Sequence, residues 1–221
     1  MNEKIQKMQE NIVPAAGQTF QPFIELEEER KGLRVLFLGN SFTYHRLRPE
    51  IGWNRQCGMA ASCLEKDYVH QLMKRIREKD PEATFAIHST SFLIERNLDT
   101  FSAERFLESR QWNPDVVILF FGENVPKDQP ELPPVFGKAC RELREYISAD
   151  GHAKCFWVGC FYLRPELNEQ KKAAAEAFGD PYIPLDDLAL REDLHGDFNH
   201  PNDEGMEAIA ERMWESIRKE I

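Results

Sequence analysis

Cysteine is sparse in this chain and nowhere arranged as Cys-x-x-Cys: the five present, Cys57, Cys63, Cys140, Cys155 and Cys160, are an odd number without metal-site spacing. Neither a disulfide framework nor a zinc knuckle is indicated, so the thiols are expected to be reduced and to serve packing. Long apolar runs are missing as well. No stretch approaches the roughly 18 apolar residues of a membrane span, and Met1 to Phe20 lacks the apolar centre of a signal peptide. The expectation is a cytoplasmic protein. Basic excess is also lacking: 28 Lys and Arg face 38 Asp and Glu, giving a formal net charge of -10. A nucleic acid or an anionic membrane would need a basic face, so neither is expected as a partner. No Gly-rich phosphate loop and no His/Asp/Glu cluster with metal spacing occurs, so no cofactor and no metal are expected.

What is present is a globular composition, 42% hydrophobic and 11% aromatic. Residues 1–32 read as a polar arm, solvated or decorating a sheet edge, with a short helix before Pro14 and a charge run from Glu25 to Lys31. From 33 to 221 one domain is expected, in which short apolar runs alternate with helical patterns. Strands are predicted near 33–38, 84–88, 115–121, 154–160 and 181–184. Uninterrupted hydrophobicity, as in Val116-Val117-Ile118-Leu119-Phe120-Phe121, suits strands covered on both faces. Tyr68, Leu72, Met73 and Ile76 mark one amphipathic helix, and Met206, Ile209, Ala210, Met213, Trp214 and Ile217 another. Such alternation implies right-handed crossovers and a parallel sheet between helical layers, an α/β fold. Residues 42–64 and the Pro-rich loop from Pro126 to Pro134 follow strand carboxyl ends, where open α/β sheets bind ligands.

Two strand ends and one loop carry chemistry-bearing residues. The first strand runs into Gly39-Asn40-Ser41, a tight turn ending on a potential nucleophile, and the third ends in Gly122-Glu123-Asn124. Near the C-terminus, Asp197 precedes His200 by three residues, so one short loop can present both to a common point. Each piece alone has a plainer reading. A serine or asparagine in such a turn is usually turn chemistry, and Pro201, Asp203 and Glu204 suit a helix start. Together they read as nucleophile, base and orienting carboxylate. If the first and third strands are neighbours, the Asn124 amide and the Ser41 N–H can both face a developing oxyanion. His195 is a competing base candidate. His45, Tyr44 and Trp53 are candidate substrate contacts, the two aromatic faces suiting a sugar ring. Glu123, between oxyanion elements, is expected to point away or to form a salt bridge.

These blocks resemble the SGNH or GDSL hydrolases. Gly39-Asn40-Ser41-Phe42 is similar to the first block, with Asn for the commoner Asp and Phe for Leu. Gly122-Glu123-Asn124 is similar to the Gly-x-Asn-Asp block, with Val125 in place of the Asp, and Asp197 to His200 matches Asp-x-x-His. The resemblance spans 33–218. It implies a three-layer α/β/α sandwich with a five-stranded parallel sheet in flavodoxin-like order. It also implies Ser41 as nucleophile, His200 as base, Asp197 as its orienter, and Ser41, Asn124 and Gly122 around the oxyanion. The family's second block supplies a glycine N–H, whereas this chain reads Ile87-His88-Ser89-Thr90-Ser91-Phe92, where a backbone N–H such as that of Ser91 can substitute. The expected activity is hydrolysis of a small-acyl ester, acetyl first, on a sugar-like alcohol through an acyl-enzyme. A degenerate binding module, an acyltransferase, and a longer-chain lipase or thioesterase remain as alternatives.

Overall fold

A computed structural model of the chain describes residues 22–26 and 31–221. The helix expected before Pro14 lies outside them. Six strands form one sheet: β1 (Phe23–Glu25), β2 (Arg34–Gly39), β3 (Thr84–Ser89), β4 (Val116–Phe120), β5 (Lys154–Val158) and β6 (Tyr182–Ile183). Their order is β1-β3-β2-β4-β5-β6. The five strands from β2 onward run parallel, as expected, in the flavodoxin-like arrangement. The sheet is nevertheless mixed, because β1 from the N-terminal arm pairs antiparallel with β3, Phe23 opposite His88. Without β1 the outer edge of β3 would expose a row of backbone groups. Phe23 closes it by packing on His88 and Trp112, with ring centroids 5.6 and 6.4 Å away.

β2 shows why the central strands read as uninterrupted apolar runs. Val35 and Phe37 enter one core, Leu36 and Leu38 the other. Successive side chains of a strand point to opposite faces, so a strand covered twice must be apolar at every position. The first face is covered by α1 (Tyr68–Lys79) and α6 (Asp203–Ile217), the second mainly by α3 (Leu132–Ile147) and α4 (Pro165–Phe178). Two short helices, α2 (Leu107–Trp112) and α5 (Asp186–Ala189), complete the layers. Among the described residues no helix is long and apolar enough to cross a membrane. All five cysteines are free, and four are buried.

Helix α6 does not start on Pro201. Asn202 caps it by accepting from the Gly205 N–H at 2.9 Å, an arrangement worth about 1 kcal/mol. Pro201 instead pairs with His195, closing the loop that carries His200.

Gly39, the last residue of β2, is closely packed where the strand enters its turn. A Cβ at Gly39 would lie 1.7 Å from Thr43 Oγ1, whose hydroxyl is held at 2.7 Å by the buried Tyr68 hydroxyl. Nothing can yield without breaking that pair. Gly39→Ala should therefore lower the urea midpoint by the equivalent of about 1–3 kcal/mol, the usual cost of overpacking a dense core. An unchanged midpoint would show that the turn relaxes freely.

Candidate active site

Ser41 leaves β2 in a turn organised by Asn40, whose backbone carbonyl accepts from the Thr43 and Tyr44 N–H groups and whose side-chain oxygen accepts from the Phe42 N–H at 3.1 Å. Across the cleft, His200 Nε2 lies 2.8 Å from Ser41 Oγ. The two residues that the sequence placed far apart are thus in hydrogen-bond contact. The edge of Phe42 packs on the His200 ring at 4.9 Å and 86°, fixing its plane. That contact accounts for an aromatic residue where the family pattern has Leu.

The expected triad is not what the structure forms. His200 Nδ1 meets the Phe198 carbonyl at 2.9 Å, whereas Asp197 is exposed and no hydrogen bond joins its carboxylate to His200. The cause is local backbone. Asp197–Asn199 forms a tight turn in which Phe198 (φ 56°, ψ 26°) and Asn199 (φ 60°) are left-handed, a conformation that costs a non-glycine residue about 1–3 kcal/mol. It turns the Phe198 carbonyl back onto the imidazole. A carbonyl only accepts, so Nδ1 carries the proton, and Nε2 offers its lone pair to the Ser41 hydroxyl. A neutral acceptor thereby performs the tautomer selection expected of Asp197.

The oxyanion candidates divide. Ser41 and Asn124 emerge from neighbouring strands as expected. Gly122, left-handed at φ 135°, does not offer its N–H to the cleft; it donates to Glu95 Oε1 at 2.7 Å. Asn124 donates to the same carboxylate from both its backbone N–H and its side-chain amide, each at 3.2 Å. Of the segment replacing the second-block glycine, Ser89 N–H is spent on Pro22 and Thr90 N–H on Gly39. That leaves Ser91 as its candidate.

Glu95, fully buried, and Glu123, nearly so, were not assigned these roles by the sequence. Glu123 makes no salt bridge: its carboxylate is turned into the interior, where it accepts from Asn40 Nδ2 at 2.6 Å and the Phe161 N–H at 3.0 Å. Burial raises its pKa, the buried Lys171 ammonium opposes that, and Glu95 adds to it. No local pattern marks Glu95, which sits at the end of an apolar stretch, Phe92-Leu93-Ile94.

The substrate-contact candidates also divide. Trp53 is only 5% exposed and part of the core, its indole N–H donating to the His45 carbonyl at 3.3 Å. It offers no open face. Tyr44 is half-buried, its hydroxyl accepting from Gln56 at 2.9 Å. His45 is close enough to His200 to act on its titration. His195 makes no hydrogen bond to Ser41; its ring stacks on Phe161 at 4.6 Å. With Lys127, Tyr162, Leu163, Glu192 and Asn199 it lines a groove of about 470 Å³. Tyr162 packs edge-on against Phe42 at 5.3 Å, so the groove adjoins the Ser41–His200 pair. Of the Pro-rich loop, Lys127 reaches this wall. Among the described residues no group of His, Cys, Asp or Glu could hold a metal ion.

No protein-family profile and no curated protein sequence matches the chain. Solved structures do. A protein described as a GDSL-like lipase from Bacteroides ovatus aligns over 86% of this chain and all of its own, at 16% identity and a TM-score of 0.57. An acetyl xylan esterase, AlAXEase, aligns over 84% of this chain and 100% of its own, at 16% identity and 0.56. A two-domain esterase active on acetylated mannans aligns over 85% of this chain and 48% of its own, at 18% identity and 0.58. The chain has the α/β/α fold of the GDSL-type esterases and lipases.

Burial, the largest influence, brings the His200 pKa from 6.5 down to about 4; His45 acts in the same direction and the Phe198 carbonyl against it. Desolvation takes His88 to about 4 as well. Because the folded values lie below the unfolded one, the unfolded chain binds these protons first as pH falls. The stability contributed by the two neutral rings is complete above pH 6.5 and is lost progressively as pH falls toward 4. Titration of the ring protons by NMR should place the His200 midpoint well below 6. A midpoint at or above 6.5 would mean that the ring is solvated or paired with Asp197 after all.

Proposed function

We propose that this protein is a serine ester hydrolase in which Ser41 and His200 act as a dyad. The observation that carries the reading is the 2.8 Å contact between Ser41 Oγ and a His200 Nε2 left unprotonated by the Phe198 carbonyl. In this reading Ser41 Oγ attacks the ester carbonyl carbon as its proton passes to Nε2, and the carbonyl electron pair moves onto oxygen. The tetrahedral anion collapses, the C–O bond to the alcohol breaks, and His200 returns the proton to the departing oxygen. Water then repeats the sequence on the acyl-enzyme. The Asn124 side-chain amide, with the Ser41 and Ser91 N–H groups, is assigned to the developing oxyanion, where fixed donors act most strongly. Asp197 has no share in orienting His200.

For the substrate we infer a short acyl group, acetyl first, on a carbohydrate alcohol. Two of the structural neighbours act on acetylated polysaccharides. The groove beside His200 adds Tyr162, an aromatic face, and Lys127, whose ammonium lies 5.9 Å from that ring. Tyr162 takes the role that the sequence suggested for Trp53. Transfer of the acyl group to an alcohol shares the first half-reaction, and product analysis with competing acceptors separates it from hydrolysis.

Ser41→Ala should abolish ester turnover, a loss on the order of a million-fold, and should end labelling by a serine-directed phosphonate. Retention of a tenth of the parental rate in contaminant-free protein sinks the assignment and favours a binding module. Asp197→Ala should stay within about tenfold of the parent, since a backbone carbonyl already selects the tautomer; a loss near 10,000-fold, as for an orienting carboxylate, would restore the triad. With aryl esters from acetate to decanoate, kcat/KM should peak at the short end. A maximum at eight carbons or beyond would favour a lipase or thioesterase.

A further inference from the structure

We propose that Glu95 is a positioning residue, a buried carboxylate clamp that sets the Asn124 amide and the Ser41 turn in their working geometry; the inference rests on the esterase reading above. Five donors from three strand ends converge on it. Asn40 Nδ2, after β2, donates at 3.1 Å; Thr90 Oγ1, after β3, at 3.2 Å; and from the end of β4 come Gly122 N–H at 2.7 Å, Asn124 N–H at 3.2 Å and Asn124 Nδ2 at 3.2 Å. No other side chain described here joins all three chain segments.

The way Glu95 reaches this point is itself unusual. Ser91–Glu95 is a single π-helical turn: Ile94 and Glu95 N–H both bond to the Thr90 carbonyl, at 2.9 and 3.2 Å, and Arg96 N–H bonds to Ser91. The wider turn lets Glu95 enter the interior, and such turns gather at functional sites. Its first residue is tied to the nucleophile's strand, because the preceding Thr90 N–H donates to Gly39 at 2.8 Å. The segment that lacks the second-block glycine therefore supplies a carboxylate instead, one that reaches the other two blocks.

Asn124 is gripped twice by one carboxylate, through its backbone N–H and through one amide hydrogen. The planar amide is then fixed, and its second hydrogen has one direction. A donor that needs no reorganisation during reaction is what transition-state stabilisation requires. Stability alone is a poor reason to keep a buried anion here, since apolar replacements of buried charges are often neutral or stabilising. Glu95 touches neither substrate nor reacting atoms, so it acts through Asn124 and Asn40.

The test is a double-mutant cycle with p-nitrophenyl acetate, using parent, Glu95→Gln, Asn124→Ala and the double variant, with folding checked by circular dichroism. Gln keeps the volume but presents N–H hydrogens to some of the converging donors. Glu95→Gln should lower kcat by about 10- to 100-fold, less than full removal of an oxyanion donor, with KM within about threefold. The double variant should lose far less than the product of the two single losses, because the part of the clamp that sets the Asn124 amide has nothing left to hold and only its grip on Asn40 remains. Multiplicative losses, an unchanged kcat, or a kcat raised by removing the negative charge each overturn the proposal. If Glu95→Gln does not fold, the same cycle is read with Glu95→Asp, and unfolding of both assigns Glu95 to stability alone. A parent that hydrolyses no ester, or an undiminished Ser41→Ala, refutes the esterase reading itself and the positioning role with it.

Discussion

One asparagine amide shared between two buried carboxylates organises the catalytic end of the sheet. Asn40 Nδ2 donates at 3.1 Å to Glu95 and at 2.6 Å to Glu123, while its oxygen holds the Phe42 N–H. An aspartate at this position, the commoner residue in the related blocks, has no hydrogen to give and would bring a third carboxylate against two others. The substitution in the first block and the two buried glutamates are therefore one feature. Burying two acids together carries a large penalty unless donors surround them or one takes a proton. Donors are present at both: five face Glu95, and the Asn40 amide and the Phe161 N–H hold Glu123, whose pKa burial raises. Lys171 adds a buried positive charge, held by the Val158 carbonyl at 2.7 Å.

The same economy of charge appears at His200. A backbone carbonyl in place of a carboxylate selects the tautomer without adding a negative charge near Glu95 and Glu123. Burial holds the histidine pKa low, at about 4, and no carboxylate is paired with the ring to oppose that. In the proposed mechanism a weaker base remains neutral into mild acid but takes the serine proton less readily, and its imidazolium returns the proton to the leaving alcohol more readily. The left-handed Phe198 backbone is the structural cost of aiming that carbonyl.

The parallel strands, their order and their double coverage were legible because hydrophobic pattern records burial directly. Ser41, His200 and Asn124 were legible because each side chain sits at a strand end or loop in a recognisable local block. What escaped was whatever depends on contacts between distant segments or on the backbone. β1 is three residues, Phe23–Glu25, too short to stand out from a polar arm. Apart from Thr90, the donors that give Glu95 its meaning lie 27 to 55 positions away. The Phe198 carbonyl has no sequence signature, whereas Asp197, which does, lies at the surface. Trp53 looked available because loops after strands often line sites, but its ring fills the core under that loop.

Position within the fold also explains why the two walls of the cleft differ. The Ser41 side is built from residues locked by the carboxylate network, so its geometry is set by the interior. The groove side is built from Tyr162, Leu163, His195 and Asn199 on loops after β5 and before α6, with Leu163, Leu190 and Phe198 all more than half exposed. Under the proposed function, a groove lined by Tyr162 and Leu163 together with Lys127 and Glu192 suits an amphipathic face, such as that of a sugar ring, more than a flexible acyl chain, which would need an enclosed apolar tunnel. The proposed function thus assigns chemistry to the hydrogen-bonded wall and substrate choice to the loop wall, so the groove residues can vary without disturbing the Asn40–Glu95–Glu123 network on which the Ser41 turn rests.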